Sequence, residues 1–73
     1  MQPWRVVGIT YELADGGQWL PVIRHEFYGA SPELAVHVRA RHLETDNFLR
    51  ACESGAFGAV QCRTVWYEPE RVL

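Results

Sequence analysis

Few residues in this chain have side chains suited to catalysis or metal binding. They are three histidines, His25, His37 and His42, and two cysteines, Cys52 and Cys62. His37 and His42 are five positions apart. On a helix they point in different directions and miss the i, i+4 spacing of a helical zinc pair. No cysteine or carboxylate stands at zinc-ligand spacing beside His25. Neither a metal site nor a cofactor is expected. A cysteine nucleophile needs a histidine that a third group holds in place. Cys52 falls on the apolar stripe of an expected helix, where a thiol is inert, and nothing specifies that Cys62 meets His25. His25 and Glu26 are strand neighbours facing opposite ways, so they form no dyad. Gly55-Ala56-Phe57-Gly58 follows a helix instead of opening one, lacks the free N–H groups that hold phosphate, and reads as a turn. The chain is expected not to be an enzyme.

The elements that carry these residues are legible from pattern. Arg5 to Leu13 is rich in β-branched and aromatic residues and reads as a first strand. Alternation places Val7, Ile9, Tyr11 and Leu13 on one side, expected to be the core side. Trp4, Val6, Gly8, Thr10 and Glu12 form the other. Gly8 inside the strand suggests a bulge or the close approach of another chain. Asp15-Gly16-Gly17 is a hairpin turn signal. A second strand follows from about Gln18 to Tyr28, with Trp19, Ile23, His25 and Phe27 expected on one side. Pro21 cannot donate to a ladder, which predicts a sheet edge there.

Ser31-Pro32-Glu33 is a helix start: a cap, a first-turn proline and an acid at the positive end of the dipole. The helix is expected to run to about Glu53, with a kink near Thr45-Asp46-Asn47 and a stop at Gly55. Leu34, Val38, Phe48, Leu49 and Cys52 form the stripe expected to lie on the sheet. Val36, Ala40 and Leu43 form a smaller apolar stripe on the back. Ala59 to Tyr67 reads as a third strand, and residues 68–73 as a tail that either frays or docks. A right-handed crossover brings the third strand back parallel to the second; it is expected beside the first strand, antiparallel to it, and the alternative places it beside the second. The expected fold is one α+β domain of ββαβ order: a helix on a three-stranded, mainly antiparallel sheet, strand order 2-1-3.

Seventy-three residues bury only about 60% of the surface of the unfolded chain, and domains of this size usually need a staple. Two cysteines are no disulfide framework, so the expected staple is a second copy. The formal charge of −2 and the pI near 5.8 argue against a dedicated nucleic-acid binder. All seven basic residues are arginine. No signal peptide and no apolar run of ~20 residues is seen, so a cytoplasmic protein without a membrane partner is expected.

The nine aromatic residues sharpen this. Trp4, Tyr11, Trp19, Phe27, Tyr28, Trp66 and Tyr67 fall on strands, and Phe27–Tyr28 and Trp66–Tyr67 put one ring on each face. One helix covers one face. Trp4, Val6, Trp66 and Tyr28, with Val36, Ala40 and Leu43 on the helix back, are the expected interface residues. The expected function is a small non-catalytic protein-interaction or regulatory module, acting as a homodimer. The size suits a short gene of a phage, plasmid or cassette. Two other readings stand beside it. One is an aromatic-lined cleft between subunits for a small molecule such as a cation. The other is single-stranded nucleic acid bound on the sheet.

Overall fold

The computed structural model describes residues 2–45, 56–57 and 60–73. Its elements are β1 (Trp4–Leu13), β2 (Trp19–Gly29), α1 (Pro32–Thr45), β3 (Ala56–Phe57), β4 (Val60–Trp66) and β5 (Glu70–Arg71). Among the described residues the fold is α+β, with one helix and an antiparallel sheet. The expected third strand is β4, and it pairs with β1 on the side away from β2. The order is β2-β1-β4-β3, so β1 is central as the topology predicts.

Two short strands extend that expectation. Ala56 and Phe57, read in sequence as part of a turn, pair antiparallel with Gln61 and Val60. β5 continues the path of β4 along β1: Trp66 pairs Gly8, and Glu70 and Arg71 pair Arg5 and Trp4. Three residues, Tyr67 to Pro69, face two on β1, which makes a one-residue bulge. Pro69, without an N–H, sits within it. The C-terminal residues therefore dock, and Val72 N donates to Pro3 O at 2.7 Å.

The β1–β2 hairpin closes at Ala14–Gln18. Ala14 N donates to Gln18 O at 2.8 Å, and Gly17 N to Ala14 O at 2.9 Å. Gly17 has φ +81°, the left-handed conformation that a three-residue hairpin loop demands at that position. Further along, the β1–β2 register shifts between Thr10 and Tyr11, where Val22 is the extra residue. That bulge turns Trp19 to the opposite side from Ile23, His25 and Phe27. The sequence expectation, which kept all four together, is corrected here.

The larger correction concerns which side of the sheet the helix covers. The expected core side of β1 was Val7, Ile9, Tyr11 and Leu13. The helix instead covers Val6, Gly8 and Thr10, with Val6 and Thr10 each only 1% exposed. The reason is room. Without a side chain at Gly8, the Trp66 indole lies across β1, and a Cβ there would stand 2.3 Å from Trp66 Cε3. On this ring converge His25 (centroids 5.8 Å apart), Phe27 (6.0 Å) and the guanidinium of Arg39 from α1 (5.1 Å). The His42 ring packs against Phe27 at 5.0 Å.

α1 starts as its sequence predicts: Ser31 Oγ accepts the Leu34 N–H at 3.2 Å. Its sheet-facing side is Ala35, Arg39 and His42, spaced i, i+4, i+7. Leu34, expected on the sheet, is 50% exposed, while Ala35 is fully buried. Gly29 explains this. A Cβ there would lie 2.4 Å from the Ala35 backbone nitrogen, so the first helical turn sits directly on the end of β2 and admits only a methyl. Phe48, Leu49 and Cys52 of the expected stripe lie outside the described residues, as do the expected kink after Thr45 and the Gly55 stop. No helix of the described residues is long and apolar enough to cross a membrane.

Gly8→Ala should therefore destabilise the fold by about 1–3 kcal/mol, the usual cost of forcing a methyl into filled space. Gly16→Ala, with nothing within 4 Å of its Cβ, should change stability by no more than about 0.5 kcal/mol. Urea denaturation of both variants checks this, and equal midpoints would contradict the packing described.

Candidate functional site

The sheet face away from α1 collects side chains from four strands. Cross-strand pairing places Arg5 beside Tyr28, Val7 beside Glu26, and Ile9 beside Arg24. On the other flank Ile9 meets Val65, Tyr11 meets Arg63, and Arg5 meets Glu70. Cross-strand partners share a face, so this side carries Val7, Ile9, Tyr11, Val65, Tyr28 and Tyr67 among three arginines and two glutamates. A shallow depression of about 450 Å³ lies in its middle, lined by Arg5, Val7, Ile9, Arg24, Tyr67 and Glu70.

Its charges are organised in a chain. Arg5 Nε donates to Glu70 Oε1 at 2.8 Å, and Arg5 Nη1 reaches Glu26 Oε1 at 3.5 Å. Arg24 Nε donates to the same Glu26 oxygen at 3.1 Å. The hydrogen bond to Glu70, then one to Tyr28, raises the Arg5 pKa further above its ordinary value, so this guanidinium is a permanent cation and no proton donor. Exposed pairs of this kind contribute at most about 1 kcal/mol each. Their effect is to fix side-chain directions and leave the apolar floor between them.

The aromatic rim is equally ordered. Tyr11 and Tyr67 hydroxyls lie 3.3 Å apart. This hydrogen bond, followed by desolvation, raises the Tyr11 pKa above the ordinary phenol value, with Arg63 pulling the other way. Arg63 stacks over the Trp19 ring at 4.9 Å. Tyr67 is 48% exposed and Tyr28 is 37% exposed.

The interface residues expected from sequence divide between surfaces. Tyr28 lies on the open face. Val6 and Trp66 lie on the helix side, Val6 buried and Trp66 half-buried in the packing already described. Trp4 shares their side of the sheet, half-buried, with Arg71 over its ring at 6.0 Å. Val36, Ala40 and Leu43 are half-buried on α1; Val36 borders a second hollow with Pro32, Glu33, Glu68 and Pro69. The structure does not bring these seven together. It gathers Tyr11, Tyr67, Arg5 and Arg24 instead, which the sequence reading did not select. Tyr11 was legible through its alternation with Trp4 but was assigned to the core.

The residues with catalytic potential sit elsewhere. His25 Nε2 lies 2.7 Å from Thr10 Oγ1, which lies 2.9 Å from Thr64 Oγ1. This is a buried hydroxyl network between helix and sheet, and His25 is 8% exposed. Cys62 is buried on the same side, and Cys52 lies outside the described residues. Arg39 Nε is buried with no hydrogen-bond partner among the described residues, its cation held over the Trp66 ring. No three His, Cys, Asp or Glu side chains among the described residues could hold a metal ion. The chain matches no protein-family model, and no curated protein or solved structure is significantly similar to it.

The raised Tyr11 pKa has a defined pH signature. A neutral phenol favoured by the fold contributes stability fully below the ordinary value of 10.0. That contribution is lost as pH rises through the raised value. Tyrosinate absorbance should show one tyrosine titrating late, and Tyr67→Phe should return it toward the ordinary range. A tyrosine that titrates equally late in Tyr67→Phe would contradict the hydrogen bond.

Proposed function

We propose that the chain is a small non-catalytic interaction module, acting as a homodimer, whose open sheet face docks another protein. The observation that supports this most is the composition of that face: exposed tyrosines and an apolar floor within a fixed ring of opposite charges. Apolar surface rimmed by polar groups marks docking surfaces, and tyrosine and arginine are the residue types enriched there. The absence of catalysis is part of the proposal. It draws support from the engagement of Arg5, Arg24 and Glu26 with one another and from the burial of His25 and Cys62.

One observation favours a second reading. Arg5, Arg24 and Arg63, far apart in sequence, share a face with three tyrosines, which suits single-stranded nucleic acid. Against it, Glu26 and Glu70 neutralise two of those arginines, and the whole chain is acidic.

The test uses Tyr67→Ala and Tyr28→Ala, which change exposed side chains and should keep the fold by circular dichroism. Affinity capture from the host lysate, quantified by mass spectrometry, should show a partner that wild type retains and both variants lose by about tenfold or more. A solvent-side helix variant, His37→Ala, should retain it. Binding of single-stranded RNA that falls steeply between 50 and 200 mM salt would overturn the proposal, as would a captured set indifferent to the tyrosines.

A further inference from the structure

The outer edge of β2 is a second surface with its own geometry. Among the described residues β2 ends the sheet, and it is eleven residues long, from Trp19 to Gly29. An edge of this length, with unpaired N–H and C=O groups, is a template for another strand.

The direction of its backbone groups follows from one hydrogen bond. Tyr67 N donates to Val7 O at 2.9 Å, so Val7 aims its backbone at β4. A strand residue points its N–H and C=O to the same side, and its neighbours point to the other. Val6 and Gly8 thus face β2. Their partners Phe27 and His25 face back toward β1. Arg24, Glu26 and Tyr28 aim their N–H and C=O outward. Pro21 obeys the same rule: it stands opposite Tyr11, whose backbone aims at β4, so the donor that Pro21 lacks would have pointed outward.

We propose that a second copy of this chain pairs antiparallel with this edge about a twofold axis at His25. The proposal rests on the homodimer reading above and specifies its register. With the axis there, the outward groups of Arg24 bond those of Glu26 of the second copy, and Glu26 bonds Arg24. Ile23 falls opposite Phe27 on the helix side, and Val22 opposite Tyr28 on the open side. The side chains are complementary in this register and not in the two beside it. An axis one residue earlier sets Arg24 against Arg24, and one residue later sets Glu26 against Glu26. Opposite-charge and aliphatic–aromatic pairs are those that stabilise facing strands, and like charges oppose them. Because the axis runs perpendicular to the sheet, both helices lie on one side and both open faces on the other. The dimer would present a partner with one continuous surface of doubled area.

Sedimentation equilibrium of the full chain at high micromolar concentration tests this, with circular dichroism confirming the fold of each variant. Wild type should be a dimer. R24E alone places glutamates opposite glutamates at both contacts, and E26R alone places arginines opposite arginines. Each should weaken self-association by roughly a hundredfold or more. Mixed in equal amounts, the two should restore a dimer, because every contact is again of opposite charge. R24P removes an outward N–H that β1 does not use, so it should also yield folded monomer, and it decides the matter if E26R fails to fold beside Arg5. A wild-type monomer would overturn both this proposal and the homodimer reading. A dimer indifferent to R24E and R24P, or an R24E and E26R mixture that stays monomeric, would overturn the edge register alone.

Discussion

The structure depends on one constraint: the Trp66 indole must lie flat across β1, and only a glycine at position 8 leaves the space. A large ring needs neighbours on its remaining sides, and two elements provide them. β2 gives His25 and Phe27, and α1 gives Arg39. Once this ring is placed, the helix has one side of the sheet to cover. The Thr10–His25–Thr64 hydroxyl network fills the space beside it. Buried polar groups are costly unless satisfied, so this network also ties β1, β2 and β4 to one register.

The open face follows by subtraction. With the helix committed to the Val6–Gly8–Thr10 side, Val7, Ile9, Tyr11 and Val65 have no layer above them among the described residues. Their covering is a lattice of long side chains, Arg5, Arg24, Glu26 and Glu70, which exclude water from Val7 while keeping their charges solvated. A surface of this type is well suited to recognition. Its side chains are already oriented by mutual hydrogen bonds, so a partner that docks has less side-chain freedom to remove.

The sequence showed the element order, the hairpin turn, the Ser31 cap, the edge position of Pro21 and the central place of β1. Each of these is a local rule or a rule of chain handedness. The sequence misassigned the faces, for reasons of packing. Hydropathy along β1 favours Val7, Ile9, Tyr11 and Leu13 over Val6, Gly8, Thr10 and Glu12. A helix–sheet interface, however, is filled by volume from all strands at once. The small residues Gly8 and Thr10 make room for Trp66, 58 positions from Gly8, and His25, 15 positions from Thr10. Similarly, Gly29 brings the helix so close that Ala35 fits where Leu34 cannot. Gly8 itself was a visible signal of close approach, but the approaching group is a ring of the same chain. The Val22 bulge, which redirects Trp19, has no marker in the sequence beyond Pro21 beside it. The site was legible as a kind of surface, an aromatic face left over by α1, and its members were not.

The placement of Trp66 over Gly8 can be read directly from the α-proton shifts of Gly8 in a proton NMR spectrum. A proton beneath the plane of an indole is strongly shielded. Gly8 should show at least one α-proton far upfield of the other glycines, with nuclear Overhauser contacts to the Trp66 ring and from that ring to Phe27. Ordinary glycine shifts at Gly8, with ring-current shifts on the Val7 and Ile9 methyls and contacts from those methyls to α1, would show that the helix covers the opposite face and would contradict the account.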